Sequence, residues 1–260
     1  MKFSIIPDYN EIEKTLQLAD KYGVNLEYND FCAPVVYEDT DEVKERINFY
    51  LDINRDRTED TMHGAFLGLD IAAADSVMAV RSRELCDQSL KIAYRMGIKG
   101  VVFHTGLIGG LRLESYLNNW LNEAVYFWTE LCHKYPELII YIENSFEREP
   151  DIFVRLMERM KDVTNFKICF DYGHAILTPT PIEEWCEKLA PFIGHMHLND
   201  NDLLDDLHLI PGAGKIDFEK WKSLMIKNGI DCSVLLEING LDNARVALEY
   251  MTELMRDDNE

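Results

Sequence analysis

The sequence predicts an α/β chain folded as a single-domain (β/α)8 TIM barrel over residues 1–260. Three observations lead there. Short apolar runs alternate with longer amphipathic stretches. The alternation repeats eight times. The length of 260 residues matches the roughly 250 that one such barrel needs. A doubly wound open sheet would alternate in the same way; the count of eight and the residues that end the runs favour closure.

The apolar runs lie at 3–6, 24–27, 61–66, 100–104, 138–143, 166–171, 193–198 and 233–237. Each is short and rich in β-branched or aromatic residues, the pattern of parallel strands buried on both faces. Helical stretches lie between them. Residues 10–20 carry apolar side chains at 12, 16 and 19. Asp41 is the expected cap of the next, with Val43, Ile47 and Tyr50 in register. Ser76 opens a long helix closed by Gly97, and 113–135 ends before Pro136. Pro150 and Pro181 fit the first turns of two more, because proline there forfeits no helical hydrogen bond. Residues 217–227 stop at Asn228-Gly229, and 242–255 closes the pattern.

Composition narrows the function classes. Hydrophobic residues make up 47% and charged residues 28%, enough apolar surface for a large core. Lys and Arg total 26 against 47 Asp and Glu, a net charge of −21. Such a field opposes docking to phosphate backbones and anionic membranes, so neither nucleic acid nor membrane is an expected partner. No run reaches the roughly 18 apolar residues of a membrane span, and the N-terminus lacks a signal-peptide core. Six cysteines form no CxxC pair; they read as reduced, buried filler in a cytoplasmic protein.

The chemistry gathers where strands end. In a (β/α)8 barrel, active sites are built at the C-terminal ends of the strands and the loops that follow. Those positions hold Glu27, His63, His104, Glu143, Asp171, His197 and Glu237, with His174, Asp206 and His208 in the adjoining loops. Five of the chain's seven histidines are among them. A lone histidine at a strand end is usually a satisfied polar group, and a lone carboxylate is often a helix cap. Ten ionisable groups on one rim point instead to a divalent cation. Carboxylates and imidazoles without thiolate suit Zn, Mn, Co or Mg. His133 reads as surface. His195 shares the strand face of His197 and is expected to hydrogen-bond inside the barrel.

The segments MHGAFLGLD, GVVFHTGL, YIENSF, CFDYGHA, MHLND, DLHLIPGAGKIDF and LLEING resemble the xylose isomerase-like TIM barrels, over about residues 60–240. That superfamily joins sugar isomerases and epimerases to apurinic endonucleases of the endonuclease IV type. The sugar branch implies one principal metal held by Glu143, Asp171, His197 and Glu237. Glu143 and Glu237 would also move a proton through an enediolate, and His63, His104, His174 and Glu149 would contact substrate. The endonuclease branch implies three zinc ions, which adds His63, His104, His174, Asp206 and His208 as metal ligands. Phe66 and Leu67 sit where those nucleases place a DNA-wedging pair.

Three departures count against the nuclease. DYGH replaces its usual turn after the sixth strand. HLNDND lacks the basic residue expected after the seventh, and YNDFCAP carries no arginine after the second. Asp200, Asp202, Asp205 and Asp206 add an acidic loop. The expected activity is therefore metal-dependent isomerisation or epimerisation of a sugar, polyol or keto-acid, with an endonuclease IV-like phosphodiesterase as the alternative. No arginine lies between 160 and 244, which argues against a heavily phosphorylated substrate. The resemblance also implies homo-oligomers.

Overall fold

The computed structural model describes residues 1–256. In chain order the elements are β1 (Lys2–Ile5), α1 (Ile12–Tyr22), β2 (Asn25–Tyr28), α2 (Thr40–Asp52), β3 (Thr61–His63), α3 (Ser76–Met96), β4 (Gly100–His104), α4 (Glu114–Lys134), β5 (Ile139–Glu143) and α5 (Asp151–Arg159). They continue as β6 (Phe166–Asp171), α6 (Tyr172–Ile176), α7 (Ile182–Leu189), β7 (Ile193–Leu198), α8 (Phe218–Asn228), β8 (Ser233–Leu236) and α9 (Leu241–Leu254). The eight strands close in sequence order into one barrel. The pairings of β1 with β2 and β8, β3 with β4, β4 with β5, and β7 with β8 are parallel.

The backbone divides into two compact units. Among the described residues, one comprises Met1–Glu27, Arg148–Pro150 and Cys169–Arg256; the other comprises Tyr28–Glu147 and Asp151–Ile168. In the first, β1 pairs with β8 from Lys2 opposite Ser233 to Ile5 opposite Leu236. There β7 continues the sheet, from His195 opposite Ser233 to Leu198 opposite Leu236. In the second, β4 and β5 run in register from Gly100 opposite Ile139 to His104 opposite Glu143. That register sets His104 and Glu143 side by side at their strand ends.

Hydrophobic patterning decides the elements, and local chemistry decides their limits. Asp75 caps α3 by accepting from the amides of Val77 and Met78, and Gly97 ends it in the left-handed conformation, which glycine adopts without steric cost. The cap of α2 is Asp39 rather than Asp41: its carboxylate accepts from Asp41 and Glu42 amides, so Asp41 falls inside the first turn. β3 ends at His63, three residues before its apolar run does. At Gly64 the backbone passes so close to the Phe103 ring that a Cβ would lie 2.3 Å from it. The short helix α6 has no counterpart in the sequence pattern; five residues are too few for an apolar period, and its cap Asp171 accepts from the His174 amide at 2.6 Å.

His133 is exposed, as expected. Five of the cysteines are buried, and burial pushes the Cys132, Cys186 and Cys232 thiols up to about 12. They are inert at neutral pH, consistent with a filler role. Among the described residues no helix is long and apolar enough to cross a membrane.

Leu235 on β8 is fully buried. Leu235→Ala is expected to destabilise the fold by about 2–5 kcal/mol through lost transfer energy and a residual cavity, read as a lower urea midpoint.

Candidate functional site

In the unit that holds β3 to β5, three predicted residues meet. His104 Nε2 lies 3.2 Å and His63 Nε2 3.4 Å from the same oxygen, Glu143 Oε2. The other nitrogen of His63 is 2.8 Å from the Gly64 carbonyl. A carbonyl only accepts, so Nδ1 carries the hydrogen and Nε2 turns its lone pair toward Glu143. The three donors could hold one ion. Phe66 stacks on His104 at 4.4 Å between ring centroids and leans on His63, so it packs against the cluster. Leu67 is 58% exposed.

Sequence reasoning missed Glu147 in this unit. The residue is buried; it accepts from the Ser145 amide and bonds Thr105 Oγ1, next to His104. Burial raises its pKa, and the bonds from Thr105 and Ser145 oppose the rise. Thr105 is held in turn by Leu107 N and Trp120 Nε1. Glu147 thus braces the loop after β5 against the loop that follows His104.

In the other unit a second group forms at the rim. Asp206 Oδ2 is 3.1 Å from both His174 Nε2 and His208 Nε2, and the three could hold an ion. Burial would raise the Asp206 pKa, but the bonds from the two histidines outweigh it and hold the carboxyl well below its ordinary range. His208 moves the other way. Its bond to Asp206, opposed by burial and aided by Glu237, lifts it to about 9. His208 and Leu203 both have left-handed backbones, φ 47° and 65°, each costing on the order of 1–3 kcal/mol outside glycine.

A buried carboxylate maintains that loop. Asp200, on the sequence one of four acidic loop residues, is fully buried and adds nothing to the exposed charge. Its oxygens accept from the amides of Asn201, Gly212, Gly214 and Ile216 at 2.8–3.0 Å. Its backbone pairs with Leu209 in both directions, so residues 200–216 close into a loop that carries Asp206 and His208. Asn201 then ties the loop to the Gly173 carbonyl, one residue before His174. The PGAG segment is the sequence signal for this brace: glycine lets the chain approach, and a Cβ on Gly214 would sit 2.4 Å from Asp200 Oδ1.

The remaining predicted residues are placed as follows. Asp171 Oδ2 is 3.4 Å from His174 Nδ1, and His197 Nδ1 is 3.4 Å from Glu237 Oε2. Glu27 is fully buried, 2.9 Å from His195 Nε2 and 3.0 Å from His197 Nε2. Burial raises its pKa, but the charge of His197 and the bonds from both histidines outweigh this and pull it far down. His195 bonds inside the barrel, as expected. Glu149 is half-buried in the loop after β5.

These strand ends define a (β/α)8 barrel whose rim carries closely set carboxylates and imidazoles. The xylose isomerase-like TIM barrel model matches residues 33–254, and the chain belongs to that family. An uncharacterized protein of Methanocaldococcus jannaschii is 27% identical over 90% of this chain and 83% of its own length. A probable endonuclease 4 of Aquifex aeolicus is 24% identical over 63% of this chain and 64% of its own. Among solved structures, a D-tagatose 3-epimerase-like protein superposes with TM-score 0.76 at 22% identity, covering 98% of this chain and 97% of that one. A Thermus thermophilus protein soaked with zinc chloride gives 0.75 at 21%, covering 98% of each. At these identities the two structures share the fold.

Asp200→Ala leaves four amides without their acceptor. It should cost about 3 kcal/mol or more and expose residues 200–216 to hydrogen exchange. Asp202→Ala is the control, because Asp202 is half-buried and accepts from the Leu204 and Asp205 amides at the loop surface; its expected cost is about 1 kcal/mol.

Proposed function

We propose that the protein is a divalent-metal-dependent isomerase or epimerase of a sugar or a related polyol or keto-acid, with residues 1–260 as one catalytic barrel. One observation carries the reading. Asp171, His197 and Glu237 each offer a donor atom, and the three atoms lie within 4.8 Å of one another; Glu143 is the fourth ligand that the family resemblance implies. Carboxylates brought together in a mostly buried setting repel and are poorly solvated, a cost that a divalent cation offsets. The donor set, oxygen and imidazole without thiolate, fits Zn, Mn, Co or Mg. The family and the likeness to a D-tagatose 3-epimerase-like fold support the sugar reading, and the zinc-soaked neighbour supports a metal.

A cation held by these four residues would polarise a carbonyl or hydroxyl oxygen of the substrate. Glu143 and Glu237 are the proton carriers: one takes a proton from the carbon beside the carbonyl, leaving an enediolate. In epimerisation the other returns a proton to the opposite face of that carbon; in isomerisation the proton goes to the former carbonyl carbon while the hydroxyl proton shifts between the two oxygens. His63, His104 and His174 offer ring donors and acceptors to substrate hydroxyls, and Glu149 adds a carboxylate from the loop after β5.

The second reading is a trinuclear zinc phosphodiesterase acting on abasic DNA. It is favoured by the two further three-donor groups, His63 with His104 and Glu143, and His174 with Asp206 and His208. The net charge of −21 disfavours DNA docking.

Metal counting decides between the two. About one divalent ion per chain is expected, whereas three zinc ions with efficient nicking of an abasic-site duplex at physiological salt would establish the nuclease instead. Glu143→Gln and Glu237→Gln should each lower ketose epimerisation by about 100-fold or more. Full turnover in both variants would overturn the assignment. Chelator treatment should abolish activity, and adding back one equivalent of cation should restore it.

A further inference from the structure

We propose that Glu27 is a positioning residue: together with His195 it sets the tautomer and ring angle of His197, so that Nδ1 is the atom His197 presents to the cation. The inference rests on the cation reading above but concerns atoms on the far side of the imidazole.

The geometry comes from two strands that are not neighbours. In the barrel order β7, β8, β1, β2, Glu27 on β2 reaches across to β7 past two strands. His195 and His197 are two residues apart, so both imidazoles leave the same face of β7, and their rings meet edge to face at 5.3 Å. One carboxylate therefore serves both. Oε2 lies 2.9 Å from His195 Nε2, and Oε1 lies 3.0 Å from His197 Nε2.

An ionised carboxylate only accepts, so the hydrogen bond to Oε2 puts a hydrogen on His195 Nε2. An imidazole nitrogen held 3.0 Å from Oε1 is favoured with its hydrogen on that side, at His197 Nε2. On His195 this leaves Nδ1 to accept from the Ser233 hydroxyl at 2.7 Å. On His197 it leaves the lone pair on Nδ1, the nitrogen 3.4 Å from Glu237 Oε2. The chain of contacts thus runs from Ser233 through His195, Glu27 and His197 to Glu237. Glu27, His195 and His197 are all fully buried, so bulk water does not compete for these bonds. A carboxylate behind a metal-binding imidazole both orients the ring and raises the basicity of the opposite nitrogen.

The test uses the full chain loaded with zinc and labelled with 15N-histidine. The expected spectrum shows His197 protonated at Nε2 and ligated at Nδ1. Zinc affinity, measured by competition with a chelator, should fall about 10- to 100-fold in Glu27→Gln. His195→Gln keeps an N–H donor for Glu27 and should retain the affinity that His195→Leu loses. Ligation through Nε2, or a Glu27→Gln variant that binds zinc as tightly as wild type, would overturn the proposal. If Glu27→Gln does not fold, the wild-type spectrum alone decides. The outcomes separate the two readings. A wild-type protein that binds no zinc, manganese, cobalt or magnesium overturns the cation reading and this one with it, whereas the wrong nitrogen on zinc overturns only this one. Neither measurement needs a sugar substrate.

Discussion

Burying a carboxylate without compensation costs several kcal/mol, and this chain does it repeatedly. Glu27, Glu143, Asp171 and Asp200 are all essentially inaccessible. The compensation differs from one to the next: imidazole hydrogens face Glu27, a helix-start amide meets Asp171, and four loop amides surround Asp200. The locations of these anions shape the rest of the molecule. Strands end where an anion can be met, and loops close around one.

The contrast between Asp200 and Asp206 shows how the same side chain does two jobs. Asp200 turns inward and accepts from four backbone amides, so it shapes the chain. Asp206 lies six residues on, partly exposed, and faces two imidazoles through a single oxygen. Asp206 and His208 are held on the loop that the Asp200 brace closes, and His174 faces them from α6. Backbone strain next to functional groups is common where the surrounding structure fixes the conformation.

Much of this is legible in the sequence, for identifiable reasons. Parallel strands buried on both faces leave uninterrupted apolar runs, so all eight strands stand out. Boundaries slip by one to three residues where caps or close approaches intervene: Asp39 displaces Asp41, and Gly64 cuts β3 short against Phe103. The helix α6 escapes because one turn has no measurable period. Glu147 escapes because its partner, Thr105, is 42 residues away, and no local spacing encodes that contact. Asp200 is visible but misleading, since its charge looks exposed until the amides of Gly212, Gly214 and Ile216 are seen around it.

The sequence by itself determined the barrel and the inventory of ionisable groups at its strand ends. Both follow from periodicity along the chain: alternation gives the strand count, and the ionisable groups fall near where the apolar runs stop. Only the tertiary structure decided which groups face one another and through which atoms. His104 and Glu143 are neighbours because β4 and β5 are in register. Glu27 belongs to His195 and His197 because its side chain crosses the barrel interior. Such pairings depend on strand register and ring orientation, which arise when the sheet closes; residues 168 positions apart carry no local signal of their contact.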